Sequence, residues 1–382
     1  MKNENKQIAI FFGTMCLLLA LIYFVNQRLN ISGNNSSLEI YNLSINQKQN
    51  DTLVSKNLFD QRQWVRGMIE GQKRCPEILV FGSSTVGIVS NDSFSRHTFL
   101  NAWLTGPTIE DYEAIFQLLH ESMCIPKNIL VGVDPWLFNS QEKSDRWKSL
   151  LEYYWRYQHN QFKVSYWIEI AKNKWSSFKE NLSYVTTKQS VLKIWSDQSI
   201  HKSEAILISE SIQKICDSDH LQELIPFSSK GFYVRDFDGH YESCNQFLLS
   251  DKKIKDIASN YLIRNTHSMA SWKEFDMNTA NRFEKMISTF VQRGSNVVVF
   301  SPAYHPITHA ILVKDQRTSA MLQKMNFVLG DIAKKNLTPY LNFQDSALLG
   351  CKDSDFDDSH HVKYACMDRI VEKLKLLLKF SE

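Results

Sequence analysis

Ser84 closes the run Gly82-Ser83-Ser84 directly after the apolar stretch Ile78 to Phe81, and Asp358-Ser359-His360-His361 lies near the other end of the chain. A serine hydroxyl becomes a useful nucleophile when an imidazole takes its proton, and the imidazole needs a carboxylate to hold its tautomer and stabilise its cationic form. Three residues apart in one loop, Asp358 and His361 can meet without help from the rest of the chain. Asp357 and His360 form an overlapping Asp-x-x-His. The pair Asp358/His361 is preferred because Cys366 and Ile370 then stand at better positions for opening the last helix. Each piece has an ordinary reading as well: Gly-Ser-Ser is a common turn after a strand, and the stretch Asp353 to His361 is rich in surface-type residues. Only together, in this order and each beside a predicted strand, do they point to catalysis.

Short apolar runs predict buried parallel strands at Ile78 to Phe81, Thr98 to Asn101, Ile129 to Val133, Val297 to Ser301 and Pro339 to Phe343. Helical periodicity covers Ile109 to His120, Thr279 to Arg293, Ser319 to Lys335 and Val362 to Phe380. This alternation predicts an α/β fold, a doubly wound parallel sheet whose carboxyl edge would carry Ser84. From about residue 140 to 275 the alternation breaks. That stretch carries Trp147, Trp155, Trp167, Trp175, Trp195 and Trp272, and one hairpin signal from Phe232 to Gly239. It is expected to be a large, mainly helical insertion over the sheet edge, whose tryptophans either form a platform for sugar rings or pack a small core of their own.

At this point the chain resembles the SGNH (GDSL-like) hydrolase superfamily. Gly82-Ser83-Ser84 is similar to its first block, and Asp358, His361 and the small residue Cys366 are similar to its last. Asn101 followed by Gly106 is similar to its second. The third block departs from the family: Gly132-Val133-Asp134-Pro135-Trp136 puts Asp134 where an asparagine would donate to the oxyanion, and an ionised carboxylate has no hydrogen to donate. The Gly-Ser-Ser variant and the altered third block look more like the membrane-anchored envelope branch, which includes the D-alanine transfer protein of teichoic acid synthesis and alginate acetylation proteins. The resemblance implies a flavodoxin-like strand order and an oxyanion hole from the Ser84 and Gly106 N–H groups. It also implies substrate contacts around Asn101, Asp134 and Trp136, and a membrane-bound O-acyltransferase as partner. Tyr304 and His305, leaving the fourth strand at the edge where Ser84 sits, are further expected pocket residues, although a turn between Pro302 and Pro306 needs no functional explanation.

The chain of 382 residues is 43% hydrophobic and 12% aromatic, enough to bury a large core, and its net charge of +3 implies no nucleic-acid partner. No dinucleotide or phosphate-loop glycine motif and no zinc spacing is present, so no cofactor and no metal are expected. Ile8 to Val25 is an uncharged run of 18 residues preceded by Lys2 and Lys6. It predicts a membrane anchor over residues 1–28, a polar linker over 29–52 and an exported body over 53–382, the N-terminus being cytoplasmic. A cleaved signal peptide is the competing reading. In an exported body the six cysteines beyond Cys16 can pair: Cys75 with Cys124 first, and Cys351 with Cys366 around the Asp-x-x-His loop, or all six stay reduced and buried.

Two functions are therefore expected from the sequence. The first is an anchored SGNH-like serine esterase or O-acyltransferase acting on acylated glycan or glycolipid of the cell envelope. The second is an inactive module of that fold that binds glycan or scaffolds an export complex. A phosphate-binding turn at Ser84 lacks the glycines and lysine such sites use.

Overall fold

The computed structural model describes residues 13–25, 34–48, 51–55, 59–94, 96–158, 205–208, 233–235, 238–242 and 249–379, with isolated positions 175, 179, 182 and 187. Its centre is a five-stranded parallel sheet built from β2 (Ile78–Phe81), β3 (Phe99–Asn101), β4 (Asn128–Gly132), β8 (Asn296–Ser301) and β9 (Tyr340–Asn342), in the order β3-β2-β4-β8-β9. Counted within the sheet that order is second, first, third, fourth, fifth, a doubly wound arrangement with the reversal between β2 and β4. Val80 pairs with Asn101 on one side and Leu130 on the other.

Alternate side chains of each strand serve different faces, because successive Cβ atoms in a strand point opposite ways. Leu79, Phe81, Ile129, Val131, Val297 and Val299 enter the core under α3 (Gln61–Gly71), α4 (Ile109–Glu121), α7 (Met277–Gln292) and α9 (Gln316–Lys335). Ile78, Val80, Leu130, Val298 and Phe300 enter the other, which α10 (Tyr364–Lys375) covers with Cys366, Met367, Ile370 and Leu374. Both layers are needed, since a sheet so apolar on both faces gains roughly 1.5–3 kcal/mol per large aliphatic or aromatic side chain removed from water. α3 and α4 are tied by a bidentate pair: Arg62 Nε and Nη2 donate to the two Asp111 carboxylate oxygens at 2.7 and 2.8 Å, with both residues buried.

A second, antiparallel sheet has the order β5-β1-β6-β7, formed by β1 (Thr52–Ser55), β5 (Ala205–Ile208), β6 (Tyr233–Arg235) and β7 (Tyr241–Glu242). Three of its strands come from the stretch expected to be mainly helical, whose described part is thus mixed. The helical pieces there include α5 (Leu151–Gln158) and α6 (Asp251–Ser259). Within the insertion Trp147 packs on Tyr154, with ring centroids 4.7 Å apart, and Trp272 is fully buried beside Phe275. These rings pack against other rings of the insertion and of the body; Trp167 and Trp195 lie outside the described residues. The turn joining β6 and β7 docks on the edge strand of the main sheet: Asn101 N donates to Asp238 O at 2.8 Å, and Trp103 Nε1 donates to Gly239 O at 2.9 Å.

The N-terminal expectations are corrected. Among the described residues no helix is long and apolar enough to cross a membrane. The helical stretch over residues 13–25, α1, reaches about 20 Å at 1.5 Å per residue, whereas a hydrocarbon core is ~30 Å thick. The transmembrane helix in the expected fold class, the membrane attachment and the single-pass topology with an exported body therefore find no spanning helix among the described residues. The remainder of the Ile8 to Val25 run lies outside the described residues. The expected polar linker contains α2 (Asn34–Ile45), which packs on α3 with Tyr41 Oη donating to Glu70 Oε2 at 2.6 Å. Its apolar positions, such as the buried Ile40, are too widely spaced among Asn and Ser to read as a helix face from composition alone.

Candidate functional site

Because the main sheet is parallel, the segments leaving β2, β4, β8 and β9 all emerge at one edge. Gly82 begins the turn after β2 packed against the end of β4: a Cβ there would lie 2.8 Å from Gly132 O, so only glycine allows this approach. Ser83 then caps a single 3-10 turn, Ser84–Val86, its Oγ accepting from Thr85 N at 3.1 Å. Ser84 is the first residue of that turn, and its N–H has no acceptor among the described residues, as expected for a helical N-terminus. The far side of the turn is held by Asn101, whose Nδ2 donates to Val86 O at 2.8 Å and Val89 O at 2.9 Å.

The Asp-x-x-His loop is closed at its base by a bridge between Phe356 and Val362, with Asp357 N donating to His361 O at 2.9 Å. His305 N donates to Ser359 O at 3.1 Å, and the disulfide Cys351–Cys366 joins the segment before the loop to the first turn of α10. Held in this way, Asp358 Oδ1 accepts from His360 N and His361 N at 2.8 and 2.9 Å, while its Oδ2 lies 2.7 Å from His361 Nδ1. A carboxylate can only accept, so Nδ1 carries the proton. The neutral ring then presents Nε2 as acceptor to Ser84 Oγ, 2.8 Å away.

Burial alone would push Asp358 up, yet the facing His361 and His360 and their hydrogen bonds to the carboxylate outweigh it and hold the carboxyl well below the usual range. For His361 burial works downward, and the Asp358 charge and hydrogen bond more than reverse it, leaving the ring more basic than usual. The neighbouring imidazoles behave differently. Burial pushes His360 down to about 3 and His267 down to about 4, so both are neutral around the site. His360 Nδ1 lies 2.9 Å from Ser359 Oγ, and Trp136 stacks on His267 at 3.9 Å between centroids. Trp136 and Tyr261 also set their rings against that of His360, Trp136 at 5.6 Å and Tyr261 at 6.0 Å. This ring shell keeps the His361 side of the site low in dielectric, which strengthens the Asp358–His361 attraction.

The structure brings Ser84, Asp358 and His361 together. Asp357 and His360 stand differently: Asp357 Oδ1 has no hydrogen-bond partner, and His360 faces the ring shell. Gly106 lies between β3 and α4 at φ 51, in the left-handed region that suits glycine. Its N–H likewise has no acceptor among the described residues. Of the expected substrate contacts, Asn101 is 0% exposed and its amide is engaged within the fold. Tyr304 is buried against Tyr261, and Ser346 Oγ donates to its carbonyl at 2.7 Å. His305, also 0% exposed, caps α8 (Pro306–Lys314), its Nδ1 accepting from Ile307 N at 3.1 Å. Asp134 is 3% exposed beneath the Ser84 turn. Trp136 borders a cleft of about 390 Å³ shared with Pro107, Thr108, Asn139, Trp147 and Arg282. Asp358, His360 and His361 offer ligand atoms within 4.8 Å of one another, but a metal ion there would compete for the His361 nitrogens that bond Asp358 and Ser84.

Sequence reasoning did not single out Ser83, Thr85, Tyr261 or His267. His267 and Ser268 adopt left-handed φ of 50 and 54, stabilised by Asn139 Nδ2 donating to Ser268 O at 3.0 Å. Nothing in the local residue types announces that conformation. Ser83 and Thr85 flank Ser84, and their hydroxyls were the one available signal.

No protein-family model matches the chain, and no curated protein matches it. The resemblance to SGNH hydrolases and to their membrane-anchored envelope branch is corrected accordingly. The functions and partners that rested on it fall with it: the anchored esterase or O-acyltransferase of envelope glycans, its inactive glycan-binding or scaffold variant, and the membrane-bound O-acyltransferase.

Proposed function

We propose that this chain is a serine-nucleophile enzyme that attacks an acyl ester and passes the acyl group to water or to another hydroxyl. One observation carries the reading: Ser84 Oγ, His361 Nε2, His361 Nδ1 and Asp358 Oδ2 form an unbroken line of hydrogen bonds of 2.8 and 2.7 Å, joining residues from opposite ends of the chain. Ser84 Oγ bonds to the carbonyl carbon as its proton moves to His361 Nε2, and Asp358 stabilises the resulting imidazolium. The tetrahedral intermediate collapses when the leaving alkoxide takes that proton from Nε2. Water or an acceptor hydroxyl then repeats the sequence on the acyl-enzyme. The N–H groups of Ser84 and Gly106, both without protein acceptors among the described residues, are the donors assigned to the oxyanion.

A fluorophosphonate probe tests the reading on the full chain, with adduct mapping by mass spectrometry. One adduct at Ser84 is expected, absent in Ser84→Ala and slowed by about 10³-fold or more in His361→Ala, the scale on which triad members act. A folded protein that is not labelled, or is labelled elsewhere, overturns it.

A further inference from the structure

Asp134 lies where the segment leaving β4 passes under the nucleophile turn, and nothing in the acyl-transfer scheme uses it. Thr85 Oγ1 donates to its carboxylate, 3.3 and 3.2 Å from Oδ1 and Oδ2, and Ser83 Oγ stands 2.9 Å from Thr85 Oγ1. Since the Thr85 hydroxyl proton goes to Asp134, Ser83 donates to Thr85 Oγ1, while Ser83 Oγ accepts the Thr85 N–H. The two hydroxyls on either side of Ser84 are thus ordered into one relay that ends on a buried carboxyl.

We propose that Asp134 is a positioning residue for the serine: it anchors the Ser83–Thr85 relay, which fixes the turn that aims Ser84 at His361, and it presents a second negative charge to that imidazole. This inference rests on the serine-nucleophile reading. An asparagine could also accept from Thr85, so what is particular to aspartate is its charge.

The groups facing Asp134 are the Ser83 and Thr85 hydroxyls, Tyr112 of α4, Tyr261 and Tyr304 from the covering segments, and His361. The three tyrosines are pushed upward by burial and stay neutral through the physiological range. Burial pushes Asp134 up to about 7, against the Ser83–Thr85 relay that ends on it, which leaves Asp134 and His361 as the pair whose charges change near neutrality. Each favours the charged form of the other. Their protons therefore leave in two steps that belong to the pair rather than to either residue alone.

The test uses Asp134→Asn and Thr85→Val, with Thr85→Ser as the conservative control. Two readouts are followed: the pH profile of fluorophosphonate labelling, and the titration of the His361 ring by NMR. Asp134→Asn removes the charge, so His361 stays neutral to lower pH, and both the acid limb and the ring titration should move down by about half a pH unit or more. Thr85→Val should slow labelling about tenfold without moving the limb, and Thr85→Ser should restore the rate. A merely structural aspartate would lower thermal stability and leave the limb and the titration in place. That result, or a Thr85→Val labelled at the wild-type rate, overturns the inference. An unlabelled wild-type protein whose His361 titration still moves in Asp134→Asn overturns the nucleophile reading while the Asp134–His361 coupling stands.

Discussion

His360 and His267 are neutral in the folded state because burial denies them a proton, whereas His361, beside Asp358, holds one more tightly than usual. The consequences for stability have opposite signs. A histidine whose pKa falls to about 3 or 4 on folding binds more protons when unfolded, so its contribution is complete above an ordinary pKa of ~6.5 and is lost as pH falls from there. Asp358, held below its ordinary value, also loses its contribution as pH falls, in a more acidic window. His361 does the reverse: its contribution is present at low pH and is lost as pH rises through its raised pKa. Denaturant titrations should therefore show lower stability at pH 5 than at pH 7. The difference should shrink in His360→Phe, which keeps a ring in the shell and removes the site that protonates on unfolding. An equal pH 5 to pH 7 difference in the variant would show that His360 is not the group responsible.

At the scale of elements, the turn that carries Ser84 depends on a strand edge that depends in turn on a distant hairpin. Asn101 holds the carbonyls of Val86 and Val89 with its side chain, and its own backbone N–H is held by Asp238 of the β6–β7 turn. The Asp238 carboxylate reaches further, accepting from Asn91 N at 2.6 Å and lying 2.6 Å from His240 Nδ1. Gly239 makes this docking feasible, since its φ is 87 and a Cβ would stand 2.1 Å from Asn101 O. Gly239→Ala should destabilise the protein by about 2 kcal/mol or more, the left-handed cost adding to a backbone clash. The same variant should slow Ser84 labelling, because the loop that Asn101 organises loses its support. Thermal denaturation alongside labelling checks both, and an unchanged midpoint would mean the hairpin turn does not dock as described.

For the molecule as a whole, Ser84 leaves the second of the nine described strands and His361 precedes α10, so the site exists only when segments from both ends of the chain are in place. Among the described residues two disulfides brace the body. Cys75–Cys124 spans 49 residues across the amino-terminal ends of β2 and β4, opposite the site, and Cys351–Cys366 spans 15 residues around the Asp-x-x-His loop. Cys216 and Cys244 lie outside the described residues. A crosslink closing a loop of that shorter length stabilises by about 3 kcal/mol in the chain-entropy treatment. Cys351→Ser should cost about that much in a denaturant titration. It should also reduce labelling at Ser84, because the freed segment carries Asp358 and His361. Full labelling in this variant would show that the Phe356–Val362 bridge and the His305–Ser359 hydrogen bond suffice to hold the loop.

The sequence by itself determined the parallel strands and most of the helices that cover them, because fully buried strands such as Ile78 to Phe81 and amphipathic helices such as α7 write their periodicity locally. It also pointed to Ser84, Asp358 and His361 as residues to bring together, since a turn after a strand and a three-residue spacing are local facts. The neighbourhood of those residues was decided by tertiary structure. Asn101, Tyr304 and His305 were expected to contact substrate, yet packing from other segments buries them and gives them internal partners. The antiparallel sheet of β5, β1, β6 and β7 assembles strands far apart in the chain, which no local pattern records. The apolar N-terminal run marked hydrophobicity, but a span also requires helix length, which the described helix lacks. Asp134 was legible as a carboxylate just after a buried strand. Only the fold placed it under Ser83 and Thr85 and out of water.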